Sequence, residues 1–94
     1  MNLEGYYINL EADRERRRTM EAQLDKLGLS GVVKRFPAVA GSDMAAPAGS
    51  PLSPAEAGCW MSHWRILQQA SADRHLLVLE DDVILHRLTP AFLE

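Results

Sequence analysis

His75-Leu76-Leu77-Val78-Leu79-Glu80-Asp81-Asp82 places an unbroken apolar run directly before three carboxylates. A strand with one wet face alternates apolar and polar side chains, and this one does not alternate. The run fits a strand covered on both faces, as in a parallel sheet lying between helices. Parallel neighbours need long crossovers, usually helical, so helices are expected elsewhere in the chain.

Upstream, residues 53–70 supply one. Ser53 can cap, Pro54 suits the first helical position, and Glu56 completes a capping box. From residue 56 to about 70 the pattern is helical, with Trp60, Trp64 and Leu67 on one stripe expected to face the core. Gly58 marks either a break or a close contact. Cys59 reads as a small buried apolar residue. A second helix is expected over residues 13–27, where Met20, Leu24 and Leu27 fall at i, i+4 and i+7. Arg14, Arg16, Arg17, Arg18, Glu21 and Asp25 form its solvated face, and Gly28 stands where a C-cap would. Residues 5–10 and 32–36 read as strands, the latter closed by Pro37. Residues 38–52 are rich in Ala, Gly, Ser and Pro without periodicity, which suits either a binding loop or a disordered connection. The order is β-α-β-α-β, an α/β sandwich with right-handed crossovers and no internal repeat.

Composition narrows the class. Ninety-four residues, 47% hydrophobic and 24% charged, describe one soluble globular domain, and a formal charge of −3 gives no general attraction for nucleic acid. Early charges at Glu4, Glu11, Asp13 and Arg14 exclude a secretory signal, and no apolar stretch is long enough for a transmembrane segment. The single cysteine allows no internal disulfide. These features point to a cytoplasmic protein.

Three features could carry chemistry. Glu80, Asp81 and Asp82 are expected at the carboxyl end of a central parallel strand, where α/β sheets bind ligands. Three adjacent carboxylates repel one another unless compensated, and Mg²⁺ or Mn²⁺ is the natural partner of such hard oxygens. Alternatively they form an acidic turn in water. Asn9 ends the first strand, expected on the same edge of the sheet as the carboxylates. That junction can hold a base or a diphosphate, or Asn9 can be a turn residue; no glycine-rich phosphate motif accompanies it. Ser62-His63 lies between the two tryptophans, and three scattered histidines make no zinc cluster.

Taken in order, the motifs are Tyr7-Ile8-Asn9-Leu10, the arginine-rich helix with Met20-Glu21-Ala22-Gln23-Leu24, and Pro37-Ala38-Val39. Leu52-Ser53-Pro54-Ala55-Glu56-Ala57-Gly58-Cys59, Ser62-His63 and Leu79-Glu80-Asp81-Asp82-Val83 follow. This series resembles the beginning of the glycosyltransferase family 25 domain, which includes lipopolysaccharide galactosyltransferases. The resemblance implies a GT-A (Rossmann-like) fold, a UDP-sugar donor, a glycan acceptor and inverting transfer. By it, Asn9, Leu10, Arg16, Ser62, His63 and Glu80 bind the donor, and Asp81 and Asp82 hold Mn²⁺ or Mg²⁺. Which of Arg14, Arg16 and Arg17 would face the diphosphate stays open.

The same resemblance makes residues 1–94 the donor-binding half of a longer domain. The acceptor half and general base are then expected beyond Glu94, and the isolated chain would be inactive. It would be cytoplasmic, with peripheral attachment to the inner membrane also open. An incomplete sheet would favour self-association through Trp60, Trp64 and residues 76–79. A non-catalytic oligomeric remnant is the alternative, and a receiver-like phosphoacceptor ranks last because Asn9-Leu10 stands where its acidic pair belongs.

Overall fold

The computed structural model describes residues 2–43 and 51–93. In chain order it has β1 (Leu3–Asn9), α1 (Arg14–Lys26), β2 (Val33–Pro37), a 3-10 turn at Gly41–Asp43, α2 (Pro54–Gln69), β3 (His75–Glu80) and the short α3 (Thr89–Phe92). The β-α-β-α-β order is as expected, with boundaries moved by a residue or two. Part of the predicted loop, residues 44–50, lies outside the described residues. All three strands run parallel in the order β2-β1-β3.

Sequence chemistry explains where α1 stops and which face it buries. Met20 and Leu24 are fully buried and cluster with Tyr7 of β1, Val33 of β2 and Leu29. Burying each such side chain is worth about 1.5–3 kcal/mol. Gly28 has φ +71, a conformation that costs glycine nothing. Its N–H bonds to the Asp25 carbonyl at 3.1 Å and Leu29 N–H bonds to the Leu24 carbonyl at 2.8 Å, closing a Schellman motif. The apolar contact that accompanies such a motif is the Leu24–Leu29 pair.

α2 begins as its sequence predicts. The Ser53 hydroxyl accepts from Glu56 N–H, and the Glu56 carboxylate accepts from Ser53 N–H. Its buried face is not the predicted one. Trp60, Trp64 and Leu67 are 56%, 45% and 60% exposed, whereas Ala57, Gly58, Ser62 and Ile66 are buried. Small residues win the inner face because the chain after β2 passes very close: a Cβ on Gly58 would lie 2.5 Å from the Val39 carbonyl oxygen. Cys59 is likewise exposed rather than buried.

β3 also departs from expectation. Among the described residues it is an edge strand, and Leu76 to Leu79 are half-buried rather than covered on both faces. Leu77 and Leu79 pack on the α1 core. The central position belongs to β1, where Tyr7 and Ile8, on opposite faces, are both buried.

Candidate functional site

Parallel register brings the two sequence-predicted polar groups together. Ile8 of β1 pairs with Glu80 of β3, so the next residues, Asn9 and Asp81, stand abreast at the carboxyl ends. From β1 the chain crosses to β2 on one side and then to β3 on the other. That reversal leaves a crevice at the strand ends between β1 and β3. A cleft of about 310 Å³ occupies this place, walled by Leu10, Asp13, Arg16, residues 38–41, Cys59 and the Glu80–Asp82 carboxylates. A larger cavity of about 550 Å³, near Tyr7, Glu21 and Lys34, contains none of the acidic cluster.

Asn9 is 1% exposed and fully engaged. Its Nδ2 donates to Asp81 Oδ2 at 2.8 Å and to the Asp13 carbonyl at 3.1 Å, while its Oδ1 accepts from Arg35 Nε at 3.0 Å. Arg35 Nη2 also donates to the Asn9 backbone oxygen at 3.1 Å. Arg35 went unnoticed in the sequence, yet a signal existed. Strand alternation puts it on the same face as the core residue Val33, facing inward rather than to water.

Arg16 is the arginine of α1 that meets the acidic cluster. Its Nη1 lies 3.5 Å from Asp81 Oδ1, whereas Arg17 pairs with Glu21 and Arg18 with Glu15. The Arg16 side chain is 58% exposed, so this long ion pair is worth little. Four carboxylates, those of Asp13, Glu80, Asp81 and Asp82, line the cleft against the single guanidinium of Arg16. An anionic ligand would therefore need a cation with it.

Ser62 and His63 do different things. Ser62 is fully buried beneath the cleft; its hydroxyl donates to the Gly58 carbonyl at 2.8 Å and accepts from Val39 N–H at 2.9 Å. It thereby ties the cleft wall to α2. The half-buried His63 places Nδ1 2.9 Å from the Cys59 carbonyl. A carbonyl only accepts, so with this contact Nδ1 carries the proton and Nε2 is the acceptor nitrogen. Cys59 Sγ donates to Glu80 Oε1 at 3.4 Å. Desolvation, then that bond and the carboxylate's charge, push the thiol up, which keeps it protonated near neutral pH.

Gln23 stands in the Met20–Leu24 motif without an assigned role, and the structure gives it one. Its side chain donates to the Val83 carbonyl at 3.1 Å and accepts from Leu85 N–H at 2.7 Å. It clamps the segment that leaves the acidic cluster, and its place three residues after buried Met20 was the available clue.

Among the described residues, no three His, Cys, Asp or Glu side chains form a ready-made metal cage. Mg²⁺ needs less, since one or two carboxylates suffice when water and substrate phosphate complete its shell. Asp81 Oδ1 meets only the long Arg16 contact and Asp82 is exposed, so the hard-oxygen donor set fits such a shared cation. No helix among the described residues is long and apolar enough to cross a membrane.

Comparison with known proteins agrees with the motif order. The chain is 35% identical to a glycosyltransferase 25 family member of Anopheles gambiae and 36% identical to one of Aedes aegypti, with 93% of this chain covered in each case. It spans 17% of the length of these curated relatives. No solved structure matches it. Residues 2–94 match the family model described as glycosyltransferase family 25 (LPS biosynthesis protein). A match of that extent leaves no part of the fold outside it, and the chain belongs to glycosyltransferase family 25.

Proposed function

We propose that residues 1–94 form the donor-binding half of a GT-A glycosyltransferase. It takes a nucleotide-diphosphate sugar, UDP-galactose in the first instance, and serves sugar transfer to a glycan of the lipopolysaccharide kind. The observation that carries this reading is the Asn9–Asp81 bond of 2.8 Å, which joins two strand ends beside a cleft that also holds Arg16.

In the transfer, the bond from the anomeric carbon to the diphosphate breaks and its electron pair leaves with the diphosphate. The acceptor oxygen attacks from the opposite face, which inverts the centre, and its proton passes to a base. No described residue is assigned that base. A bound Mn²⁺ or Mg²⁺ would neutralise charge on the leaving diphosphate. Asp81 and Asp82 are the residues to hold it, with Asn9 fixing Asp81. Arg16 exchanges its weak ion pair for a phosphate oxygen, adding charge stabilisation as the leaving group departs. Leu10 and Glu80 wall the donor cleft and Ser62 acts through Val39, whereas His63 does not line the cleft and its place in donor binding rests on the family resemblance alone. With no described residue assigned as the base, the 94 residues are expected to bind donor without turning it over alone. We place it in the cytoplasm, where its single cysteine stays reduced. Its exposed Trp60–Trp64 face supports self-association, which sedimentation would register as a species larger than a monomer.

Calorimetry of UDP binding with and without Mn²⁺ tests this directly. UDP should bind more tightly with the metal, and the Asp81→Asn/Asp82→Asn variant should lose that gain. Equal binding by both proteins would contradict the assignment.

A further inference from the structure

Asn9 is buried with every polar atom of its side chain in use, and its partners on both sides agree on which way the amide points. Arginine carries donors and no acceptor, so the atom facing Arg35 Nε at 3.0 Å must be the amide oxygen. The NH₂ group is then committed to Asp81 and Asp13. Were the amide reversed, the NH₂ would face a guanidinium and the oxygen would face a carboxylate, pairing donor with donor and acceptor with acceptor. Arg35 also grips the Asn9 main chain through Nη2 at 3.1 Å, so its planar fork reads both oxygens of one residue. Arg35 lines the larger cavity near Tyr7 and Glu21, not the donor cleft.

We infer that Arg35 is a positioning residue: it locks the Asn9 amide so that its NH₂ holds the Asp81 carboxylate in place against Arg16. The lock itself stands on the hydrogen bonds; its consequence for ligand affinity rests on the donor-site reading above. Arg35 touches no ligand, and acts on the site through Asn9 alone.

Hydrogen exchange of the Asn9 side-chain amide, followed by NMR on the 94-residue chain, tests the lock without any ligand. Arg35→Met should quicken that exchange about tenfold or more, the loss expected for a hydrogen bond to a charged partner. Backbone amides of Tyr7 and Ile8 should keep their protection, which separates a freed amide from a loosened sheet. Arg35→Lys, which keeps the charge but loses the planar fork, should give a smaller increase, and it decides the matter if the Met variant does not fold. Wild-type exchange at Asn9 in a folded variant would overturn the inference. Mn²⁺-dependent UDP affinity, measured on the same proteins, should fall in parallel. If wild-type chain fails to bind UDP, the donor reading fails while the Asn9 exchange still decides the role of Arg35.

Discussion

The strand-end site and the outer face of α2 show opposite ways in which side chains meet their surroundings. At the strand ends a buried amide finds a partner for each polar atom, and no described buried side-chain nitrogen or oxygen lacks one. On α2, two tryptophans stack on each other, centroids 5.8 Å apart and planes 11° apart, beside an exposed leucine. An unsatisfied buried polar group costs its full desolvation, so it must be solved within the fold. An exposed ring costs less and can wait for another surface. The site therefore has its geometry built into the 94 residues, while the aromatic face has only its own stacking.

The sharpest way to break this contrast uses two neighbours on one helix. Ile66 is fully buried and Leu67 is 60% exposed. Ile66→Ala should destabilise the fold by about 2–5 kcal/mol, and Leu67→Ala by no more than about 0.5 kcal/mol, measured by urea unfolding at low protein concentration. A large cost for Leu67→Ala that grows with protein concentration would show that the outer face is covered by self-association.

Gly58 gives a smaller effect with an informative sign. In an ordinary exposed helix Gly→Ala stabilises by about 0.5–1 kcal/mol. Here a Cβ would lie 2.5 Å from the Val39 carbonyl oxygen, so Gly58→Ala should destabilise by about 1–3 kcal/mol. Stabilisation would mean that residues 38–41 do not rest on α2.

A third difference is confined to alkaline pH. Burial, reinforced by the hydrogen bond to Glu21, pushes Tyr7 up from its ordinary value of 10.0 to about 12. Between these values the unfolded chain has lost the proton that the folded chain keeps, so stability must fall as pH rises. The Tyr7 contribution should be complete below pH 10.0 and disappear towards pH 12, whereas Tyr7→Phe should lose this part of the pH dependence. A wild-type profile matching Tyr7→Phe over that window would contradict the buried placement.

Legibility in the sequence follows the same division. Ser53-Pro54-Ala55-Glu56 and Gly28 were readable because caps are local: the groups that satisfy one another lie within a few residues. Asn9 and Asp81 were readable as a pair because one ends a strand, the other directly follows one, and parallel strands share a direction. The inner face of α2 was not readable from hydrophobicity. Ala57, Gly58 and Ser62 face inward because a backbone segment needs room there, and periodicity alone ranks Trp60 above them. Arg35 was missed because a strand arginine reads as a solvated charge until its strand neighbour is known to be Asn9's own segment.

Nucleotide diphosphate is proposed to bind where the ends of β1 and β3 meet. Titrating isotope-labelled chain with Mg²⁺–UDP and following it by NMR measures that location directly. Shifts are expected at the Asn9 side chain and at Leu10, Arg16, Asp81 and Asp82, with the Trp60 and Trp64 indole signals and the Lys34 amide left in place. Shifts centred on Lys34, Glu21 and the larger cavity, with Asp81 and Asp82 unmoved, would contradict it.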